Sequence, residues 1–219
     1  MDGSIQPVDT TSCSNLNCIY ITDWKSPYTI HRLELDGKKT RWPVKDIPHG
    51  ISVTASDRNV LVSCFDKCKL KLFTTHGELI LEIILQDDMI HPTHAIQIGC
   101  QSVVSHVCDS DPLNRVCVVD ANGNLTRSYG GSPGSADGQL CNQIRLYLVD
   151  KGIVLVADYS SNRVLLLSST LRCFGEVVSK PARNKRFDPT RMCLHEKTGR
   201  LYITDDGNKN VLVYQLRKV

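Results

Sequence analysis

A short apolar strand, a polar turn and a second apolar strand recur five times along this chain, and that recurrence limits its fold more than any other feature. The clearest copy is Val154 to Asp158 (VLVAD), a turn at Ser160 to Asn162, then Arg163 to Leu167 (RVLLL). The last copy is Leu201 to Asp205 (LYITD), Gly207 to Asn210, then Val211 to Tyr214 (VLVY). Val164 precedes Val211 by 47 residues, and Val116 precedes Val164 by 48. Such a period marks a repeat architecture in which one strand-built unit cannot bury its apolar face alone.

No window sustains a helical period, while short β-branched runs are bounded by Gly, Asn, Asp and Pro, so the chain reads as all-β. Each unit fits four strands, a to d from inside to outside, as in a propeller blade. The second unit places a at Gly50 to Thr54, b at Val60 to Cys64, c at Leu70 to Phe73 and d at Glu78 to Ile84. The first unit shows b, c and d at Cys18 to Asp23, Ile30 to Leu35 and Thr40 to Val44. Asp36-Gly37, His76-Gly77 and Asn122-Gly123 occupy the same c–d turn, where a hairpin needs positive φ. The third unit runs from His94 to Tyr129, the fourth from Gln143 to Val177, and the fifth from Arg191 to Leu216 without a d strand. This predicts four complete blades and a partial fifth in one domain over residues 15–219. Residues Ile5 to Thr11 are the candidate for a missing edge strand; the other expectation is a truncated ring.

With 219 residues and 41% hydrophobic content the chain can bury a substantial core, and a net charge of +3 selects no partner class. The segment Met1 to Asn15 has no charged and apolar leader pattern and no run approaches a bilayer span, which points to a soluble cytoplasmic protein. The ten cysteines include no CxxC, and Cys18, Cys117, Cys173 and Cys193 lie within apolar strands, so they read as buried reduced thiols. Asn124-Leu125-Thr126 matches a glycosylation sequon without the compartment to use it.

The segments Val154-Leu155-Val156-Ala157-Asp158-Tyr159 with Asn162-Arg163-Val164, and Gly199-Arg200-Leu201-Tyr202-Ile203-Thr204-Asp205, resemble NHL repeats. From His94 onward, His94-Ala95-Ile96-Gln97, Val103-Val104-Ser105-His106, Arg115 to Asp120 and Tyr129-Gly130-Gly131 are similar to the C-terminal propellers of tripartite-motif NHL proteins. The resemblance spans about residues 15–217 and implies a recognition propeller that binds protein or structured RNA. The RING, B-box and coiled-coil modules of that family are missing from this sequence, so no ubiquitin transfer is assigned. Trp24 and Trp42 do not repeat in the WD-repeat manner.

In such a propeller the b–c turns and the d–a linkers share one rim. His49, His94 and Arg191 stand at the starts of three a strands and read as matched positions. Pro48-His49-Gly50-Ile51 is similar to a ligand segment of NHL-type amidating lyases, so the alternative function is a metal-dependent propeller lyase or hydrolase. Arg191 at the third position opposes a cation, and hydrogen-bonded turn histidines are the reading adopted, with no metal and no cofactor. Lys180, Arg183, Lys185 and Arg186 fill the last d–a linker and could neutralise phosphates. Tyr159 and Arg163 flank the fourth b–c turn and Trp24 the first, which sets aromatic surface beside cations, a composition shared by RNA stacking and protein hot spots. Asp23, Asp158 and Asp205 all end b strands, and this repetition favours turn capping over acid–base chemistry. No Ser-His-Asp arrangement, phosphate loop or HExxH occurs.

Overall fold

A computed structural model describes residues 4–54, 58–86, 88–107, 114–141, 144–149, 152–178, 187–195 and 197–216. They form nineteen β-strands and no α-helix among the described residues. The chain divides into two compact units, Met1–His106 with Val118–Thr126, and Val107–Cys117 with Arg127–Val219. The fold class is that of a β-propeller of up-and-down antiparallel blades, as the repeat predicts.

In the first unit one blade contains β1 (Pro7–Cys13), β2 (Cys18–Asp23), β3 (Thr29–Glu34) and β4 (Lys39–Pro43), hydrogen-bonded in that order. Strand β1 fills the edge position that Ile5 to Thr11 were expected to supply, with Cys13 opposite Cys18. The next blade is β5 (Pro48–Val53), β6 (Asn59–Cys64), β7 (Lys69–Thr74) and β8 (Leu79–Ile84), followed by the sheet of β9 (Pro92–Ile98), β10 (Gln101–His106), β11 (Arg115–Val119) and β12 (Leu125–Gly130). In the second unit β13 (Ile144–Val149), β14 (Ile153–Asp158), β15 (Arg163–Ser168) and β16 (Cys173–Val178) make a four-stranded sheet, and β17 (Pro189–His195), β18 (Arg200–Asp205) and β19 (Asn210–Gln215) a three-stranded one.

The c–d turns use glycine where expected: Gly37, Gly77 and Gly123 have φ of 90°, 96° and 85°. The fourth copy of this turn has no glycine, and Leu171 takes the position with φ of 62°, its buried side chain compensating the backbone strain. The sequon lies in the third copy, where Asn124 donates its side-chain N–H to Asp120 at 2.9 Å and closes the turn. Buried Tyr20, Ile30, Trp42, Ile51, Val60, Val62 and Phe73 pack together in the first unit, and Leu155, Val164, Phe187, Leu201 and Ile203 in the second. Cys18 and Cys117 are buried as expected, but Cys173 is half-buried and Cys193 exposed, because strand alternation turns them away from the core.

A device that the alternation pattern does not display recurs at the inner strands. Four of the five begin with proline, at Pro7, Pro48, Pro92 and Pro189, placed opposite Asp23, Cys64, His106 and Asp205. Proline lacks the ladder donor and suits the first residue of a strand. Next comes a β-bulge, in which two residues oppose one, and the single residue is always a hydroxyl: Thr22, Ser63, Ser105 or Thr204. The N–H of Asp9 donates to Thr22 Oγ1 at 3.0 Å, that of Gly50 to Ser63 Oγ at 2.8 Å and that of Arg191 to Thr204 Oγ1 at 2.8 Å. Ser105 Oγ donates to the His94 carbonyl at 3.2 Å, as Thr22 Oγ1 does to that of Asp9 at 3.3 Å, and shares a bond with Thr93 Oγ1. The blade without proline is the control: β13 pairs with β14 in unbroken register, and Ala157 stands where the others carry a hydroxyl.

The hydroxyl therefore satisfies a backbone donor that the bulge removes from the ladder. Ser63→Ala and Thr204→Val are each expected to lower stability by about 1–3 kcal/mol, the cost of a buried unsatisfied donor. Ala157→Ser is expected to gain nothing, and urea unfolding midpoints of the three variants check this.

Candidate functional site

The proline register corrects one expectation of the sequence reading. Counted from Pro48, Pro92 and Pro189, the matched positions are Gly50, His94 and Arg191, with Asp9 as their counterpart after Pro7. His49 lies one residue earlier, equivalent to Val8, Thr93 and Thr190, so its ring makes contacts different from those of His94. In the first unit His94 is 8% exposed and its Nε2 lies 3.6 Å from Asp9 Oδ2, which also accepts the Ile51 N–H at 3.1 Å. Gly50 is the residue between them: a Cβ there would lie 2.7 Å from His94 Cα and 2.5 Å from the Thr93 carbonyl. Glycine is required so that the inner strands can approach this closely.

His49 Nδ1 is 2.8 Å from the Thr93 carbonyl, which can only accept, so this nitrogen carries the proton. Its ring joins an aromatic stack. Trp24, the residue after β2, and Phe65, the residue after β6, lie 5.6 and 5.3 Å from the His49 centroid, and Phe65 stacks on His91 at 4.4 Å and 8°. The backbone fixes both b–c turn aromatics in the same way: the N–H of Trp24 donates to the Gln6 carbonyl and that of Phe65 to the Ile47 carbonyl, both at 3.0 Å. Trp24 remains 40% exposed, His91 is held at φ 48°, and its Nδ1 is buried without a hydrogen-bond partner among the described residues. Lys25 and the exposed Lys67 flank the aromatics along the chain. Phe65 and His91 were not among the expected site residues. The signal for Phe65 was its position one residue beyond a b strand, shared with Trp24 and Tyr159, but nothing in the sequence places His91 on its ring.

In the second unit Tyr159 is half-buried and Arg191 half-buried, whereas Arg163 is 4% exposed. Arg163 Nε donates to Asp158 Oδ2 at 3.0 Å, Nη2 to the Gln139 carbonyl at 2.7 Å, and Nη1 to the Ser135 carbonyl at 2.5 Å and to Glu176 at 3.3 Å. All three nitrogens are engaged, so Arg163 staples its own linker rather than offering a cation to a partner. Burial pushes the Asp158 carboxyl up, against the donors of Cys141, Ser161 and Arg163 that pull it down. In the first unit buried Lys71 makes a similar staple, to Asp46 at 2.6 Å, Glu82 at 3.2 Å and the Val44 carbonyl at 2.7 Å. Lys180, Arg183, Lys185 and Arg186 lie outside the described residues.

The b-strand aspartates act as caps. Asp23 accepts the N–H groups of Gln6 and Lys25 at 2.8 and 2.9 Å, Asp158 that of Cys141 at 2.9 Å, and Asp205 that of Asp188 at 3.0 Å. Where Cys64 replaces the aspartate, Asp66 accepts the Ile47 N–H at 3.0 Å from two residues further along. Among the described residues no group of three His, Cys, Asp or Glu side chains is placed to hold a metal ion.

No protein-family model matches this chain, and no curated protein sequence matches it. Solved structures do. Virginiamycin B lyase from Staphylococcus aureus is 14% identical, with 99% of this chain aligned to 72% of that one and a TM-score of 0.65. A protein of unknown function from Bacteroides caccae is 13% identical over 98% of this chain and 80% of its own, at 0.71, and the structure of a nidogen/laminin complex is 14% identical over 97% and 76%, at 0.74. At these identities the likeness shows the propeller fold.

Two outcomes test the site's framework. Arg163→Met is expected to cost on the order of 3–5 kcal/mol in unfolding free energy, because Asp158 is left as a buried unpaired carboxyl. The pH dependence follows from Asp23 and Asp205. Burial alone would raise both, but donors from Gln6, Lys25 and His31 around Asp23, and from Asn208 and Asp188 around Asp205, hold them below the ordinary carboxylate range. The unfolded chain then binds more protons than the folded one in acid, so stability is full above the unfolded carboxylate pKa and falls as pH drops through the folded values. Asp205→Asn is expected to flatten that acid limb in thermal melts run across pH.

Proposed function

We propose that this chain is a non-enzymatic recognition propeller of the NHL type that holds a protein or a structured RNA on the rim of its b–c turns and d–a linkers. One observation carries the reading: the stack of Trp24, Phe65 and His91, which lie in loops, with His49 at the start of β5, left open at Trp24. Rings already held against one another in a stack lose little conformational freedom on binding, and a partly exposed indole next to Lys25 in the chain suits either a stacked base or a protein side chain. The nidogen/laminin structure among the neighbours, named as a complex of proteins, is in keeping with a propeller that binds protein. A cytoplasmic setting belongs to this reading, and the burial of Cys13, Cys18, Cys64 and Cys117 as small apolar side chains is in keeping with it.

The second reading, a metal-dependent lyase or hydrolase, draws on the lyase among the neighbours and on the His94 and Asp9 pair. Zinc binding by isothermal titration that vanishes in His94→Ala would support it and count against the first.

Filter binding with structured RNA and affinity capture with candidate proteins separate the two partner classes. Trp24→Ala is expected to weaken the true partner by about tenfold or more, as truncation of an aromatic anchor does. Lys25→Glu with Lys67→Glu is expected to weaken RNA further and to reduce the salt dependence. Unchanged binding of every partner to Trp24→Ala would remove this surface from the proposal.

A further inference from the structure

The hairpin that opens the first blade is closed by two thiols. Cys13, the last residue of β1, stands directly opposite Cys18, the first residue of β2, and side chains opposed in an antiparallel pair share one face of the sheet. Both are reduced and buried, at 1% and 3% exposure, while Ser14, Asn15 and Asn17 of the turn between them are exposed. The repeat does not call for cysteine here. The corresponding pairs of the other blades are Val53 with Val60, Ile98 with Gln101, Val149 with Ile153 and His195 with Arg200.

The hydrogen-bond phase sets their separation. Leu35 N–H donates to the Asn17 carbonyl at 3.1 Å, so the backbone of Asn17 faces the β3 side and that of the next residue, Cys18, faces β1. Cys13 and Cys18 are therefore a hydrogen-bonded pair with Cα atoms about 5.5 Å apart, inside the range of about 4.4–6.8 Å that disulfides span. Opposed Cβ atoms lie about 4.5–5.5 Å apart, against about 3.5–4.5 Å across a disulfide, so the bond closes with some strain. Strained disulfides are the readily reduced ones, which suits a reversible link better than a permanent brace.

Cys18 also has the surroundings of a reacting thiol. Arg32 and Tyr20, opposed on β3 and β2, both reach its side chain. Arg32 is 8% exposed, and its Nη2 lies 3.4 Å from Glu34. A cation held against the sulfur in this way is the setting in which reactive cysteines occur.

We propose that Cys13 and Cys18 form a reversible dithiol–disulfide couple, oxidised by small-molecule disulfides such as glutathione disulfide. Local opening of the exposed turn admits the oxidant. Cys18, its proton lost to water, attacks one sulfur of the oxidant; a Cys18–glutathione bond forms, and the first glutathione thiolate leaves and takes up a proton. Cys13, deprotonated in turn, attacks the Cys18 sulfur, so that the Cys13–Cys18 bond forms and the second glutathione departs. Two protein thiols are oxidised and one glutathione disulfide is reduced to two thiols. The product fastens β1, the strand that carries Asp9, covalently to β2.

Tryptic digestion reads the outcome directly, because the segment Met1 to Lys25 holds Cys13 and Cys18, no other cysteine and no internal Lys or Arg. The folded full chain is equilibrated with glutathione disulfide and then alkylated with iodoacetamide in denaturant. This peptide is expected to be two hydrogens lighter and to carry no alkyl group, and reduced glutathione is expected to restore both alkylation sites. Cys13→Ala is expected to stop at the Cys18–glutathione mixed disulfide. A folded chain whose Cys13 and Cys18 both still take up iodoacetamide, under oxidant that links them in the urea-unfolded chain, overturns the proposal. A disulfide from either of them to any other cysteine of the folded chain overturns it as well.

Discussion

The hydroxyl-locked bulge at the start of the inner strands is the constraint on which most of this architecture depends. A bulge takes a backbone N–H out of the ladder, and inside a packed sheet that donor needs a partner at once. Thr22, Ser63 and Thr204 supply it, and Ser105 makes the related bond to the opposite carbonyl. Because the bulge follows proline and turns the strand by one residue, it decides which side chain stands at the strand's inner start and which turns to the rim. Asp9 and His94 meet across Gly50 for this reason, and His49 joins the aromatics for the same reason.

Around that framework the polar groups divide into those that hold loops and those left to meet a partner. Asp23, Asp158 and Asp205 accept N–H groups from the linker that leads into strand a, and Arg163 and Lys71 bind linker carbonyls from the other side. Each is buried, and each would leave buried polar partners unsatisfied if removed. The rim aromatics differ. Their backbones are tied down while their rings stay partly open, the combination that a recognition surface needs.

Much of this could be read from residue order. The four-strand blades, the Xaa-Gly turns and the capping aspartates all follow from period, turn chemistry and repetition, since each depends on neighbours within a few positions. The first blade's inner strand was harder, because Pro7–Cys13 alternates weakly and is recognised only by its pairing with β2. The Leu171 turn was hidden, for a residue that seldom takes positive φ held its place through burial. Arg163 looked like a rim cation from its place beside Tyr159, but its partners Ser135 and Gln139 lie more than twenty residues earlier in the chain.

The sequence by itself determined the class of fold, the blade count and the location of turns, because strand period and glycine or aspartate turns are local properties. The side-chain groupings were decided only in the tertiary structure. Whether a histidine pairs with Asp9 or stacks on Phe65 depends on a one-residue bulge and on which strand lies alongside, and neither is encoded by spacing along the chain. The same holds for β19, whose apolar sequence reads as a core strand although Val211 and Val213 lie exposed.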